Sequence, residues 1–176
     1  MRPNSNEFAP FYAGYVNQVP DEDIFDFLKH QGESFVQYLY GIPAVQAAYA
    51  YAPGKWTLAE VVGHINDAER VFAYRAMRIA RGETIDLPGF AENDYVANGK
   101  FGLRPYGSLI EEFRYQRMSN LHLYHSFDEE QLAILGKASG QPVSVRGLLY
   151  ITAGHVQHHW NIIKERYQVE AHGHSL

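Results

Sequence analysis

Two histidines, His155 and His159, lie four residues apart in a C-terminal stretch with the apolar spacing of a long helix. Four residues is about one helical turn, so both imidazoles project from the same face. Leu148, Ile151 and Ile162 share that face, which is where a hydrophobic core is expected. A buried imidazole without a partner is costly, and two rings at this spacing can converge on one ion.

A third histidine, His64, has the same character on another predicted helix, where Val61 and Phe72 flank it within an apolar stripe. Taken singly, each histidine is better explained as a packed side chain bonded to a carbonyl or hydroxyl group. Together, three imidazoles on two helices match zinc sites that leave one coordination position open. The combination therefore favours a metal site formed by His64, His155 and His159.

Candidates for holding the imidazole rings in place flank His64 or face it. Metal-binding histidines usually donate their other ring N–H to a fixed partner. Glu60 and Asp67 each lie about one turn from His64, and Gln31 is a polar residue on the inner stripe of the first predicted helix. Glu60 is also explained as a helix cap, and Asp67 as a solvated charge or a partner of Arg70.

The other histidines are weaker candidates for metal binding. His158 lies three residues after His155 and could replace or supplement His159, although it points farther from the centre of the stripe. His122 and His125 lie off the main stripe of their helix and are expected to be solvated or half-buried.

The composition limits the remaining possibilities. The chain has 176 residues, which suits a single domain spanning residues 1–176, and a net charge of −5 without a basic block. General binding to nucleic acid is therefore not expected, nor is membrane insertion, because no apolar run is long enough. The sequence contains no cysteine, so metal ligands must be nitrogen or oxygen atoms. No secretion signal is recognisable, and a cytoplasmic location is expected.

Four amphipathic helices are predicted between an irregular N-terminal arm, residues 1–20, and a polar tail, residues 169–176. Their predicted starts are the acidic run Asp21–Asp23, the capping boxes Thr57-x-x-Glu60 and Ser108-x-x-Glu111, and Ser144. Residues 82–107 lack sustained periodicity but are long enough to cross a whole bundle. The sequence predicts an all-α four-helix bundle with a long crossover between helices two and three.

Motifs for other chemistries are absent from the sequence. No histidine has glutamate three residues before it, which argues against a ferritin-like di-iron site. H-E-x-x-H, the P-loop, G-x-G-x-x-G and G-x-S-x-G are also missing.

The stretches KWTLAEVVGHINDAERVFAYRAMRIARGE, LPGFAENDYV and GHVQHHWNIIKERY resemble the DinB/YfiT-like superfamily. The resemblance covers most of the chain and implies a four-helix bundle of up-down-down-up order with the crossover between helices two and three. It also implies a metal triad at His64, His155 and His159, with zinc or nickel as the usual ion, and a homodimer.

Members of known activity join a low-molecular-weight thiol such as bacillithiol, mycothiol or glutathione to a small electrophile. The resemblance therefore implies a metal-dependent transferase or isomerase. Asp94 and Tyr95, with Asn93, are candidates to line its pocket, although an ordinary surface loop is the better explanation for them. A metal-containing helical module with a binding or stress-response role and no turnover is the alternative.

Overall fold

The computed structural model describes residues 1–167 and is mainly helical. Its helices are α1 (Ala13–Val16), α2 (Ile24–Tyr40), α3 (Leu58–Ala80), α4 (Glu92–Gly99), α5 (Tyr106–His125), α6 (Glu129–Ala133) and α7 (Val145–Arg166). Three short strands are β1 (Asp86–Leu87), β2 (Leu135–Ala138) and β3 (Gln141–Ser144). The long helices α2, α3, α5 and α7 form the four-helix bundle, as predicted. The predicted polar tail lies outside the described residues.

Helix starts follow the predicted caps in three of the four long helices. The Asp23 carboxylate accepts hydrogen bonds from the first backbone N–H groups of α2. Thr57 and Glu60 form a reciprocal capping box at α3, and the Ser144 hydroxyl accepts from the Gly147 N–H at 2.9 Å in α7. Each cap satisfies donors that would otherwise lack a partner in the first helical turn.

The predicted start of the third long helix is wrong. The helix begins at Tyr106, directly after Pro105, and no side chain caps it. Ser108 is already inside the first turn, and Glu111 pairs with Arg114 at 2.6 Å instead of closing a capping box. Pro105 occupies the N-cap position, where its fixed φ suits the turn into the helix although its side chain has no hydrogen-bond acceptor.

Contacts between the long helices give an up-down-down-up order. Helices α3 and α7 are antiparallel, because His64 lies beside His155 and the Tyr167 hydroxyl donates to the Trp56 carbonyl. Helix α2 is parallel to α7, as the contacts Gln31–Ala153 and Phe35–Trp160 show. Helix α3 is parallel to α5, as the contacts Asn66–Leu109 and Glu69–Arg117 show. The parallel pair α3 and α5 therefore needs the long crossover.

The crossover between α3 and α5 is anchored at both ends. Near its start, β1 pairs with β2 in parallel, with Asp86 opposite Lys137, and β2 pairs with β3 in antiparallel fashion. Near its end, the Phe101 ring lies on Gly63 of α3, where a Cβ atom would be 2.3 Å from the ring. The small sheet was not predicted, because strands of two to four residues are too short to show alternation.

The N-terminal arm packs against α7 and is partly helical, rather than irregular as predicted. Its α1 lies so close to α7 that a Cβ atom on Gly154 would be 2.1 Å from the Tyr15 carbonyl oxygen. Arg2 donates hydrogen bonds to the carbonyls of Val16 and Val19, each at 2.9 Å, and thereby joins the beginning of the arm to its end. Glycine at position 154 therefore allows the arm to reach the centre of α7.

Replacing Gly154 by alanine should displace the arm and lower the free energy of unfolding by about 1–3 kcal/mol, as overpacking usually does. Urea denaturation would measure the change. Gly14→Ala is the matched control in the same contact region, since nothing lies within 4 Å of its added Cβ. Equal stability of the two variants would contradict the close packing of α1 on α7.

The ion pair between Glu7 and Arg146 fixes the arm at the start of α7, with N–O distances of 2.6 and 2.7 Å. Burial raises the pKa of Glu7, but hydrogen bonds from Arg146 and Asn4 outweigh it and lower the pKa from 4.5 to about 2. The pair is expected to stabilise the fold fully above pH 4.5 and progressively less as the pH falls towards 2.

Glu7→Gln should therefore lower the free energy of unfolding by up to about 3 kcal/mol at neutral pH. The difference from the unmodified protein should shrink between pH 4.5 and 2, because protonation then removes the charge of Glu7 as well. Urea denaturation at several pH values would measure it. A difference that stays constant with pH would show that the carboxylate charge is not responsible.

Candidate metal centre

The structure brings His64 of α3 together with His155 and His159 of α7. The Nε2 atoms of His64 and His155 are 2.9 Å apart, and one ring nitrogen from each of the three residues lies within 4.8 Å of the others. His64 and His155 are buried, whereas His159 is half-buried. Their three rings therefore form one cluster with a side that remains accessible.

The spacing of the His64 and His155 nitrogens fits a divalent metal ion. Two nitrogens bound to one zinc ion at about 2.0–2.1 Å lie about 2.9–3.4 Å apart for bond angles of about 90–109°. The separation of 2.9 Å between His64 and His155 falls in that range. Neutral imidazole nitrogen is a common ligand of zinc and nickel.

Burial keeps the three imidazoles neutral, which is the form that binds metal. Burial lowers the pKa of His64 from 6.5 to about 4, although the negative charge of Glu92 acts to raise it. Burial and the neighbouring histidines lower the pKa of His159 to about 3 and that of His155 well below 6.5. At neutral pH each ring thus presents a lone pair without first losing a proton.

His158 lies beside the cluster and is not one of the three residues whose nitrogens converge. Its ring packs against Tyr15, with centroids 5.2 Å apart, and against His159 at 5.1 Å. The structure therefore brings His159, and not His158, together with His64 and His155.

The candidates for holding the rings have other partners. Glu60 closes the capping box of α3, Asp67 faces Arg70 at 3.9 Å, and Gln31 donates to the carbonyl of Ala153 at 2.9 Å. Within residues 1–167, no hydrogen bond joins Glu60, Asp67 or Gln31 to the three histidines. Glu60 has the cap role that its spacing also predicted.

Aromatic side chains hold the imidazole rings instead. The Trp56 ring lies 4.9 Å from that of His64, and the rings of Tyr15 and Phe72 meet His155 edge-on, each at 5.6 Å. Such contacts limit ring rotation and keep water away from the nitrogens. Tyr15 and Trp56 were missed as site residues, since neither lies on the histidine-bearing helices.

Two cavities adjoin the cluster. The larger, of about 320 Å³, has mainly aromatic walls and is lined by Phe11, Tyr12, Tyr15, Trp56, Phe72, Phe90 and Glu92 besides the histidines. The smaller, of about 260 Å³, lies between Lys55, Asn93 and His159. Both include Trp56, which stands between them.

The crossover contributes Asn93, one of the predicted pocket residues, and Glu92, which was not predicted. Glu92, at the start of α4, lines the larger cavity, and Asn93 lines the smaller one. Asp94 and Tyr95, the other predicted pocket residues, line neither cavity; Asp94 is exposed and Tyr95 borders a separate small cavity. The sequence marks Glu92 only as an acidic residue that could begin a helix, so its position needed the tertiary structure.

Comparisons with solved structures show the same fold. YfiT from Bacillus subtilis, described as a probable metal-dependent hydrolase with an unusual four-helix bundle topology, superposes with a TM-score of 0.73. The alignment covers 94% of this chain and 90% of YfiT at 14% identity. A mycothiol-dependent maleylpyruvate isomerase aligns with a TM-score of 0.68 at 12% identity, covering 88% of this chain and 63% of its own.

Sequence comparison identifies the family. No curated protein matches the chain, but the family profile described as the DinB superfamily matches residues 28–163. Among residues 1–167, no helix is long and apolar enough to span a bilayer. Because the matched range covers more than half of the sequence and contains His64, His155 and His159, the chain belongs to the DinB superfamily.

Proposed function

We propose that this protein is a metal-dependent enzyme that transfers a low-molecular-weight thiol to a small electrophile. In this proposal His64, His155 and His159 hold a zinc or nickel ion. The observation that carries it is the convergence of three neutral imidazoles beside an open, aromatic cavity. A divalent ion held by neutral ligands would lower the pKa of a thiol next to it.

The thiol must come from a cosubstrate, because the protein has no cysteine. The description of the structurally similar isomerase as mycothiol-dependent supports this choice of cosubstrate. During transfer a carbon–sulfur bond forms, the bond to the leaving group breaks, and the thiol proton passes to solvent. The aromatic walls formed by Tyr15, Trp56 and Phe72 would exclude bulk water from the reacting atoms.

Access to the cluster favours an enzyme over a purely structural metal site. Structural zinc sites are closed by four protein ligands, whereas catalytic sites keep a position open. Within residues 1–167, three histidines form the cluster without a fourth histidine, aspartate or glutamate ligand. Two cavities adjoin His159, so a thiol and an electrophile could occupy one each.

The proposed transfer can be tested with tag-free protein loaded with zinc or nickel. Bacillithiol, mycothiol and glutathione would each be incubated with chlorodinitrobenzene, and thioether and chloride release would be measured. We expect turnover with at least one thiol and its loss in His64→Ala, while His30→Ala, on the exposed side of α2, keeps it. Metal binding without turnover for any thiol would instead support the non-catalytic module.

A homodimer is also part of this proposal. The outer face of α2 and α5 exposes Tyr40, Tyr115 and Met118, which are 53%, 60% and 50% accessible. Exposed apolar side chains on one face often mark a contact between protein chains. Light scattering at micromolar concentration should give twice the mass of one chain, and Tyr115→Glu should shift it towards the monomer.

A further inference from the structure

Arg75 is a buried cation in a part of the fold that the metal centre does not use. It lies on α3 about three turns after His64, or about 16 Å along the helix axis. Arg75 is only 3% exposed. Within residues 1–167 it forms no ion pair, and Asp86 on the nearby β1 pairs with Lys137 at 3.3 Å instead. Arg75 is near enough to contribute to the lowered pKa of Asp86, but within the described residues no carboxylate contacts its guanidinium group, and a buried cation without such a contact is unfavourable.

The hydrogen bonds of Arg75 satisfy only part of its guanidinium group. Nη2 donates to the Pro88 carbonyl at 2.7 Å and to the Ser139 hydroxyl at 3.0 Å. Nε is buried and has no partner among the described residues. The crossover and the β2–β3 turn thus fix the guanidinium group through Nη2, while its buried Nε–H remains unused.

A cavity of about 140 Å³ adjoins this guanidinium group. Its walls include Val71, Tyr74, Phe90 and Tyr95, so Arg75 is a single cation in mainly apolar and aromatic surroundings. Phe90 also lines the larger cavity at the histidine cluster. The two cavities therefore share Phe90 as a lining residue.

We propose that this cavity binds a small organic carboxylate, which gives Arg75 an anionic partner in direct contact. The unpartnered Nε–H can donate a charge-assisted hydrogen bond to a carboxylate oxygen, and the guanidinium charge attracts the anion. Aromatic walls suit the apolar body of such an acid and would be a poor environment for inorganic phosphate. The site is independent of the proposed thiol transfer, since no histidine of the cluster lines it.

Benzoate is a suitable probe, and benzamide is its neutral counterpart of similar shape. Isothermal titration of the full chain should show saturable binding of benzoate and at least tenfold weaker binding of benzamide and phosphate. Arg75→Gln should weaken benzoate binding at least tenfold. Arg70→Gln, an arginine on the exposed side of α3 that pairs with Glu112 and lies outside this cavity, is the matched control and should bind like the unmodified protein.

A carboxylate could also bind a metal ion, so the titration is repeated with His155→Ala. If His155→Ala still binds benzoate, the result supports the Arg75 site. If His155→Ala loses benzoate binding while Arg75→Gln retains it, the proposal is overturned. Equal binding of benzamide or phosphate, or no binding of benzoate, also overturns the proposal. If Arg75→Gln does not fold, benzoate added to the unmodified protein must shift the amide NMR signals of Gly89 and Ser139 to sustain it.

Discussion

Replacing His155 by alanine is expected to abolish stoichiometric metal binding while the bundle stays folded. His155 is buried, and its Nε2 lies 2.9 Å from that of His64, so the substitution removes a central nitrogen of the cluster. Losing a residue that merely orients a ligand weakens metal binding by about 10–100-fold, so loss of the ligand itself should exceed 100-fold. Added zinc should then no longer raise the melting temperature.

Elemental analysis of tag-free protein would measure the metal content, and melting curves with and without zinc would measure its effect on stability. His30→Ala is the control, because His30 is exposed on α2 and lies outside the cluster. One equivalent of tightly bound metal in His155→Ala would show that the three histidines are not the ligands. Circular dichroism would separate that result from simple unfolding.

The histidine cluster could be predicted because its information is local. His155 and His159 lie one turn apart on a helix whose apolar face is evident, and His64 lies on a similar face. The partners of these rings depend on distant parts of the chain. Tyr15 reaches His155 only because Gly154 lets the arm approach α7, a contact that no helical periodicity encodes.

The crossover shows the same division between local and long-range information. Its length indicated that it spans the bundle, and helix α4 within it begins at Glu92. The residues that face the cavities were harder to predict, because α4 has only a weakly apolar face. Their orientation depends on Phe101 packing against Gly63, far away in sequence.

The charged core of the bundle was not predicted at all. Glu69 of α3 and Arg117 of α5 have side chains only 1% and 3% exposed. Both appear in the sequence as ordinary helical charges, and burial of such residues is rare unless they are paired. The pairing depends on Gly32 of α2, where a Cβ atom would lie 2.9 Å from Cγ of Arg117.

The Glu69–Arg117 pair joins three helices of the bundle. Nε and Nη2 of Arg117 donate to the two carboxylate oxygens of Glu69, each at 2.8 Å, and Nη1 donates to the Leu28 carbonyl at 2.9 Å. Asn120 donates to Glu69 at 3.2 Å. Both charges are thus nearly fully hydrogen-bonded, so removing either one leaves the other buried without a counterion.

Arg117→Met is therefore expected to lower the free energy of unfolding by about 3–5 kcal/mol, because the Glu69 carboxylate would lose its counterion. The double variant Glu69→Leu/Arg117→Met should recover most of that loss, since no buried charge remains. Urea denaturation of both single variants and the double variant would give the coupling energy. Arg70→Met, whose side chain is 52% exposed and pairs with Glu112, should change stability by less than about 1 kcal/mol. If Arg117→Met lowered the free energy of unfolding no more than Arg70→Met, the Glu69 carboxylate would have to be neutral or hydrated in the folded protein. The pair would then not be the ionic contact that holds α2, α3 and α5 together.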